Sequence, residues 1–171
     1  MQALGVEFEV VIPNVEELRA GEASEVVVEN ARRKARAVAG DVGEGMVVIG
    51  CDTEVVVDGR ILGQPGTPEE ARSYLLMLSG RDHEVLSGLV VVGGDGAERS
   101  GVCRSTVTFR ELGEAEVDRY VESGEWRGRA GGYALQGLGS TLVAQVEGDV
   151  ANVIGLPVGL LLELAPPLSR Q

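Results

Sequence analysis

The sequence predicts an α/β domain: a mixed, twisted central sheet with helices around it and a substrate cleft beside it. Three observations predict this. Val47-Val48-Ile49 is a short apolar run of the kind that forms a strand buried on both faces. Asp58-Gly59 stands between VVV and RIL as the two residues of a type I′ hairpin turn. Thr67-Pro68-Glu69-Glu70 opens a helix, with Thr67 as N-cap, Pro68 at the first helical position and Glu70 closing a capping box. Strands and helices alternate only in part, which favours a mixed sheet over a doubly wound one. No stretch is long or polar enough to be a linker, so the 171 residues form one domain, built as two closely joined lobes around a cleft.

In chain order, Val6 to Ile12 reads as a strand closed by Pro13-Asn14. Ser24 caps a helix running to about Ala39, with Val28, Ala31, Ala35 and Val38 as its buried stripe. Arg32, Arg33 and Arg36 make its solvated face, and Lys34 borders the stripe, where it can point toward a cleft. The strand at Val47 ends in Gly50-Cys51 and then Asp52. In the next helix Ala71, Tyr74, Leu75 and Leu78 repeat at helical spacing before Gly80. Glu84–Val92 and Arg99–Phe109 form a long antiparallel ribbon turned at Gly93-Gly94-Asp95-Gly96. Glu114–Ser123 is a short helix ended by Gly124. Arg127 to Ser140 is a glycine-rich loop, Thr141–Val146 is a final strand, and Pro157 opens a last helix that Pro166-Pro167 terminates.

The net charge of −12, from 27 acidic and 15 basic residues, opposes binding to nucleic acid or an anionic membrane. It leaves room for a small anionic ligand, which needs only local cations and backbone N–H groups. No apolar run has the length of a membrane span and no signal-peptide pattern opens the chain, so a cytoplasmic protein is expected. Cys51 and Cys103 lie in apolar strands and read as two buried thiols rather than a disulfide.

Asp52 is the first candidate for chemistry. A carboxylate at a strand end can hold a metal or act as a general base, or it can cap a local turn; the residues alone allow either. Glu54 shares a strand face with it and can be a second metal ligand, although a solvated residue at the ribbon's start is the reading favoured. Lys34 alone reads as a surface lysine. His83, the single histidine, leads into a strand and reads as structural. The Gly131–Gly137 loop can approach a ligand closely, with Tyr133 and Gln136 able to stack on a base or hydrogen-bond it; a tight surface loop is the plainer alternative. Trp126 beside it reads as a packing residue.

Four segments then carry a resemblance: GCDTEVVVDGRILGQP, LSGRDHEVLSG, GEWRGRAGGYALQG and NVIGLPV. In this order, from about Gly5 to Leu164, they resemble the Maf family, once named as septum-formation inhibitors. The resemblance implies a Maf/ITPase-like fold and a nucleoside triphosphate pyrophosphatase, a hydrolase releasing pyrophosphate and a nucleoside monophosphate with Mg²⁺ or Mn²⁺. It implies that Asp52, in the D-T pair, is catalytic and holds the metal. It implies that Lys34, in Lys34-Ala35, contacts phosphate, and that Gln136 with Tyr133 reads the base. The D-T, S-G-R-x-H and Y-x-x-Q-G combination is similar to the branch acting on dTTP and UTP. Gln64 departs from the family's G-K-P, and a glutamine can hydrogen-bond phosphate but cannot neutralise it.

The family also opens with a strand and an S-x-S-x-R-R phosphate-binding turn. Met1 to Val6 corresponds to the end of the helix after it, so the expectation is a start placed too far downstream. A homodimer is a further implication of the resemblance. The alternative function is a nucleotide-binding regulator of cell division with little turnover, which Gln64 and the missing turn favour.

Overall fold

The computed structural model describes residues 5–43 and 45–165. Met1 to Leu4 and the terminating Pro166-Pro167 lie outside these residues. Five strands, β1 (Val48–Val57), β2 (Arg60–Leu62), β3 (Asp82–Val92), β4 (Glu98–Phe109) and β5 (Val143–Glu147), form one sheet in the order β2-β1-β3-β4-β5. Helices α1 (Ala23–Ala39), α2 (Pro68–Leu78), α3 (Glu114–Ser123), α4 (Val150–Ile154) and α5 (Val158–Leu164) flank it. The α/β class with a twisted sheet and flanking helices stands. The expected mixture of strand directions is not seen among the described residues, where each strand pairing is antiparallel. Two hairpins, β1–β2 and β3–β4, account for half of the four pairings, because a hairpin can join only antiparallel neighbours.

The local signals place the elements well. Asp58 (φ 50°) and Gly59 (φ 73°) take the left-handed conformations that a type I′ turn needs. The Thr67 hydroxyl accepts from the Glu70 N–H at 3.2 Å, and Pro68 starts α2. Helix α3 spans the expected residues and ends at left-handed Gly124. At α1 the cap is Glu22 rather than Ser24; its carboxylate accepts from the Glu25 N–H at 3.1 Å. Strand β1 is longer than expected and carries Asp52 in mid-strand, opposite Gly88 of β3, rather than at a strand end.

Val6 to Ile12 is not a strand. It runs irregularly, with Val10 74% and Ile12 91% exposed. β-branched residues favour a strand only where a neighbour completes the hydrogen-bond ladder, and no strand among the described residues lies beside this segment.

The sheet separates two layers. On one face α1 packs Val27, Ala31 and Ala35 over Val48, Val56, Leu86 and Val90. On the other face, Val55, Val57, Val85, Val107 and Phe109 meet Leu75 and Leu78 of α2 and Val117 and Tyr120 of α3, and this is the main core. Helix α5 covers the far end of that face through Leu161 against Leu89 and Val91.

Helix α1 lies unusually close to the sheet. A Cβ on Gly50 would stand 2.2 Å from the Ala31 carbonyl oxygen, and one on Gly88 would stand 2.3 Å from the Val27 carbonyl. Backbone cannot yield as a side-chain tip can, so both positions require glycine. Gly50→Ala and Gly88→Ala should each lower stability by about 2–3 kcal/mol, through overpacking that lifts α1. Urea unfolding of the single variants checks this, and a loss under about 0.5 kcal/mol would show that the helix can slide.

Candidate active site

The seat of α1 brings polar groups over Asp52. Asn30 and Lys34 are four residues apart, so they lie one above the other on the same helix face. Asn30 is fully buried and donates from Nδ2 to Asp52 Oδ2 at 3.1 Å. Lys34 Nζ donates to Asp52 Oδ1 at 2.6 Å and also reaches Glu17 at 2.7 Å. Burial disfavours the ammonium, yet the bonds to Asp52 and Glu17 outweigh it and raise the Lys34 pKa overall. Asn30 also clamps the irregular N-terminal segment: its Oδ1 accepts from the Leu18 N–H at 2.7 Å and its Nδ2 donates to the Leu18 carbonyl at 3.0 Å. One buried amide thus ties Glu17's segment to Asp52's strand.

Glu54 is not the solvated residue that its place in the sequence suggests. Its Oε2 is buried without a hydrogen-bond partner, and the carboxylate lies beside Gly63. Burial first, then the charges of Asp52 and Glu17, push its pKa up to about 7. Three carboxylates, Glu17, Asp52 and Glu54, therefore share the field of one lysine.

Strand β2 pairs with β1 only at Val55–Val57, so the part of β1 that carries Asp52 has β3 as its one paired neighbour among the described residues. A cavity of about 290 Å³ opens here. Lys34, Asp52 and Gln64 line it together with Arg129, Tyr133 and Gln136. The glycine-rich loop forms its wall through residues 128–130 and 133–136, and carries two 3₁₀ turns, Ala130–Gly132 and Gly137–Thr141. Gly131 docks that loop on the sheet. Its N–H donates to the Gly63 carbonyl at 3.1 Å, and at φ 66° it sits where a Cβ would be 2.8 Å from Val55. On the floor, Val153, Ile154 and Gly155 come from α4, which is held by the buried Asn152. Its Nδ2 donates to the Val85 carbonyl at 2.9 Å and to Ser105 Oγ at 3.0 Å.

A family profile described as "Maf-like protein" matches residues 1–166. The chain belongs to the Maf family. It is 43% identical over 162 residues to the dTTP/UTP pyrophosphatase of Dictyoglomus thermophilum, covering 92% of this chain and 83% of the relative. It is 42% identical over 162 residues to the dTTP/UTP pyrophosphatase of Deinococcus radiodurans, covering 94% and 82%. It is 44% identical over 170 residues to the dTTP/UTP pyrophosphatase of an Anaeromyxobacter species, covering 96% and 80%.

The site residues expected from the Maf resemblance fall together around one cavity. Asp52 and Lys34 meet directly, and Gln64 and Gln136 are exposed at the cavity with their side-chain amides unengaged within the described structure. Tyr133 lines the same cavity from a buried position. It is 5% exposed, its hydroxyl bonds His83 Nε2 at 2.8 Å, and its ring packs edge-on against Phe109 and His83. It is a wall residue of the cavity whose hydroxyl is already bonded to His83. Trp126 packs as expected, donating its Nε1–H to the Val121 carbonyl at 3.0 Å. Among the described residues no helix is long and apolar enough to cross a membrane.

Sequence reasoning misses Asn30 and Glu17, and finds Glu54 but favours a solvated place for it. Asn30 leaves a trace: it precedes Lys34 by one helical turn and adjoins the apolar Ala31. Glu17 leaves none, because its place depends on how an irregular segment crosses α1.

His83 is structural, as expected, and its burial has a consequence for pH. Burial lowers its pKa to about 4, so it stays neutral in the folded protein where the unfolded chain's histidine has begun to charge. The unfolded state then binds the extra proton. The stability that His83 contributes is complete above about pH 6.5 and falls as pH drops toward 4. Wild type should lose up to about 1.4 kcal/mol per pH unit across that window relative to His83→Gln. Urea midpoints of the two proteins at pH 7 and pH 5 test it. Glu54 titrates the opposite way in both proteins and cancels in the difference; equal slopes would remove His83 from the pH dependence.

Proposed function

We propose that this Maf-family chain hydrolyses dTTP and UTP to the monophosphate and pyrophosphate. The observation that supports it most is the Lys34–Asp52–Asn30 cluster at an open cavity, in a chain 42–44% identical to relatives named for that activity. Water attacks the α-phosphorus, the α–β anhydride bond breaks, and pyrophosphate leaves. Asp52 accepts the water's proton. Lys34 exchanges one of its carboxylate partners for a phosphate oxygen, and Gln64 donates a further hydrogen bond. Gln136, exposed at the mouth, hydrogen-bonds the pyrimidine edge, while the Tyr133 ring gives that part of the cavity a rigid side.

A Mg²⁺ or Mn²⁺ ion belongs to the same reading. Among the described residues no group of at least three His, Cys, Asp or Glu is arranged to hold a metal. Mg²⁺ needs only one or two carboxylates when phosphate and water complete its shell. Asp52 fits that role, with the unpartnered Oε2 of Glu54 on the same strand face. When bound, the ion neutralises phosphate charge. A cytoplasmic setting also fits, with Cys51 and Cys103 as free thiols.

Asp52→Asn should lower kcat on UTP by about 100-fold or more and move the melting temperature by only a few degrees, because Asn30 and Glu17 keep their other bonds. The assay is pyrophosphate release from UTP and dTTP. Turnover at the parental rate would remove Asp52 from the chemistry. Orthophosphate as the first product would place attack at the γ-phosphorus and end this reading. Nucleotide binding without either product would favour a regulator.

A further inference from the structure

The cavity carries a charge problem. Glu17, Asp52 and Glu54 stand around Lys34, which already bonds two of them, while the expected ligand is itself strongly anionic. Gln64 adds no charge. A cation is needed that is not already neutralised.

Arg129 meets that requirement. Seven of the chain's arginines make ion pairs with carboxylates. Arg127, two residues before, stacks on Trp126 at 4.7 Å. Arg129 has neither kind of partner among the described residues, and it lines the same cavity as Lys34 and Asp52. Its neighbours Gly128 and Ala130 line the cavity too, so the chain presents this segment to the ligand space as a run. Its guanidinium is also close enough to favour ionisation of Tyr120, whose hydroxyl oxygen accepts from the Ala134 N–H at 3.0 Å on the same wall.

We infer that Arg129 is the phosphate-gripping residue of this cavity: its planar guanidinium receives the β- and γ-phosphates of a bound nucleoside triphosphate from the loop wall. The inference rests on the proposed nucleotide reading and adds to it the group that makes the triphosphate tail welcome. Guanidinium suits the task because its fork of N–H groups matches two phosphate oxygens at once and never loses its charge. It also assigns the glycine-rich loop two jobs, one at the base through Gln136 and one at the phosphates through Arg129.

The test is calorimetric binding of α,β-methylene-UTP, pyrophosphate and UMP to wild type, Arg129→Gln, Arg129→Lys and Arg119→Gln. Arg119 is exposed on α3, away from the cavity residues, and its variant makes the same change in net charge. Arg129→Gln should weaken Kd for the analogue and for pyrophosphate by about tenfold to a hundredfold, and Kd for UMP by less than about threefold. Arg129→Lys should recover part of the loss and Arg119→Gln should match wild type. Analogue binding within about threefold of wild type in Arg129→Gln, or an equal loss for UMP, overturns the inference. Wild type binding neither the analogue nor pyrophosphate overturns it as well. Failure of the hydrolase reading is seen separately, as no pyrophosphate release from UTP by wild type while these affinities hold.

Discussion

The site depends on the absence of two side chains. Gly50 and Gly88 let α1 settle onto β1 and β3 at a separation that no Cβ would permit. Gly88 lies directly opposite Asp52 in the sheet, and Gly50 precedes Asp52 by one step on the same face. The helix backbone thus comes down beside the carboxylate itself. Asn30 and Lys34 then reach Asp52 at hydrogen-bonding distance. A higher seat would leave a buried carboxylate without donors, and an unpaired buried charge costs several kcal/mol. The packing contact and the chemistry therefore have one cause.

The two sides of the cavity are built on different principles. The α1 side is electrostatic: charged groups held by one another and by a buried amide. The loop side is steric. His83, Phe109 and Tyr133 pack edge-to-face, the Tyr133 hydroxyl is tied to His83, and Gly131 locks the loop to Val55 and Gly63. Rigid aromatic packing leaves little rotamer freedom to lose when a ligand binds. Trp126, bonded to the Val121 carbonyl, extends that wall into the main core. Pocket shape therefore belongs to the main core, and the charge cluster around Asp52 belongs to the smaller interface under α1.

This division explains what the sequence discloses. Elements set by short-range rules are legible: the Asp58-Gly59 turn, the Thr67-Pro68 helix start and the Gly124 helix end each follow from local conformational preference. Val6 to Ile12 has the composition of a strand, yet a strand is a relation between two segments and composition describes only one. Helix α4, five residues long, is too short to show a period. The candidate site divides in the same way. Asp52, Lys34, Gln64 and Gln136 are found through resemblance of whole segments, and they surround one cavity. Asn30, Glu17 and Glu54 acquire their roles only when α1, the N-terminal segment and β1 converge. Tyr133 is visible as a site residue, but its buried bond to a histidine 50 residues away is not.

Asp52 and Glu54 stand on one strand face and show why placement outranks residue type. Both Asp52 oxygens have donors, Lys34 on one and Asn30 on the other. Glu54 Oε2 has none, and the carboxylate faces Asp52 and Glu17 as like charges. Donors to a carboxylate favour its charged form, whereas burial beside like charges favours a bound proton. The same chemical group thus has both oxygens engaged by donors where α1 overhangs the strand. Two residues on, past the reach of Asn30 and Lys34, it holds its proton up to about pH 7. An incoming hydrogen-bond acceptor would change that second carboxyl before the first, because both oxygens of the first already have donors. The strand consequently offers one carboxylate with settled geometry and one with unspent capacity, and the edge of α1 decides which is which.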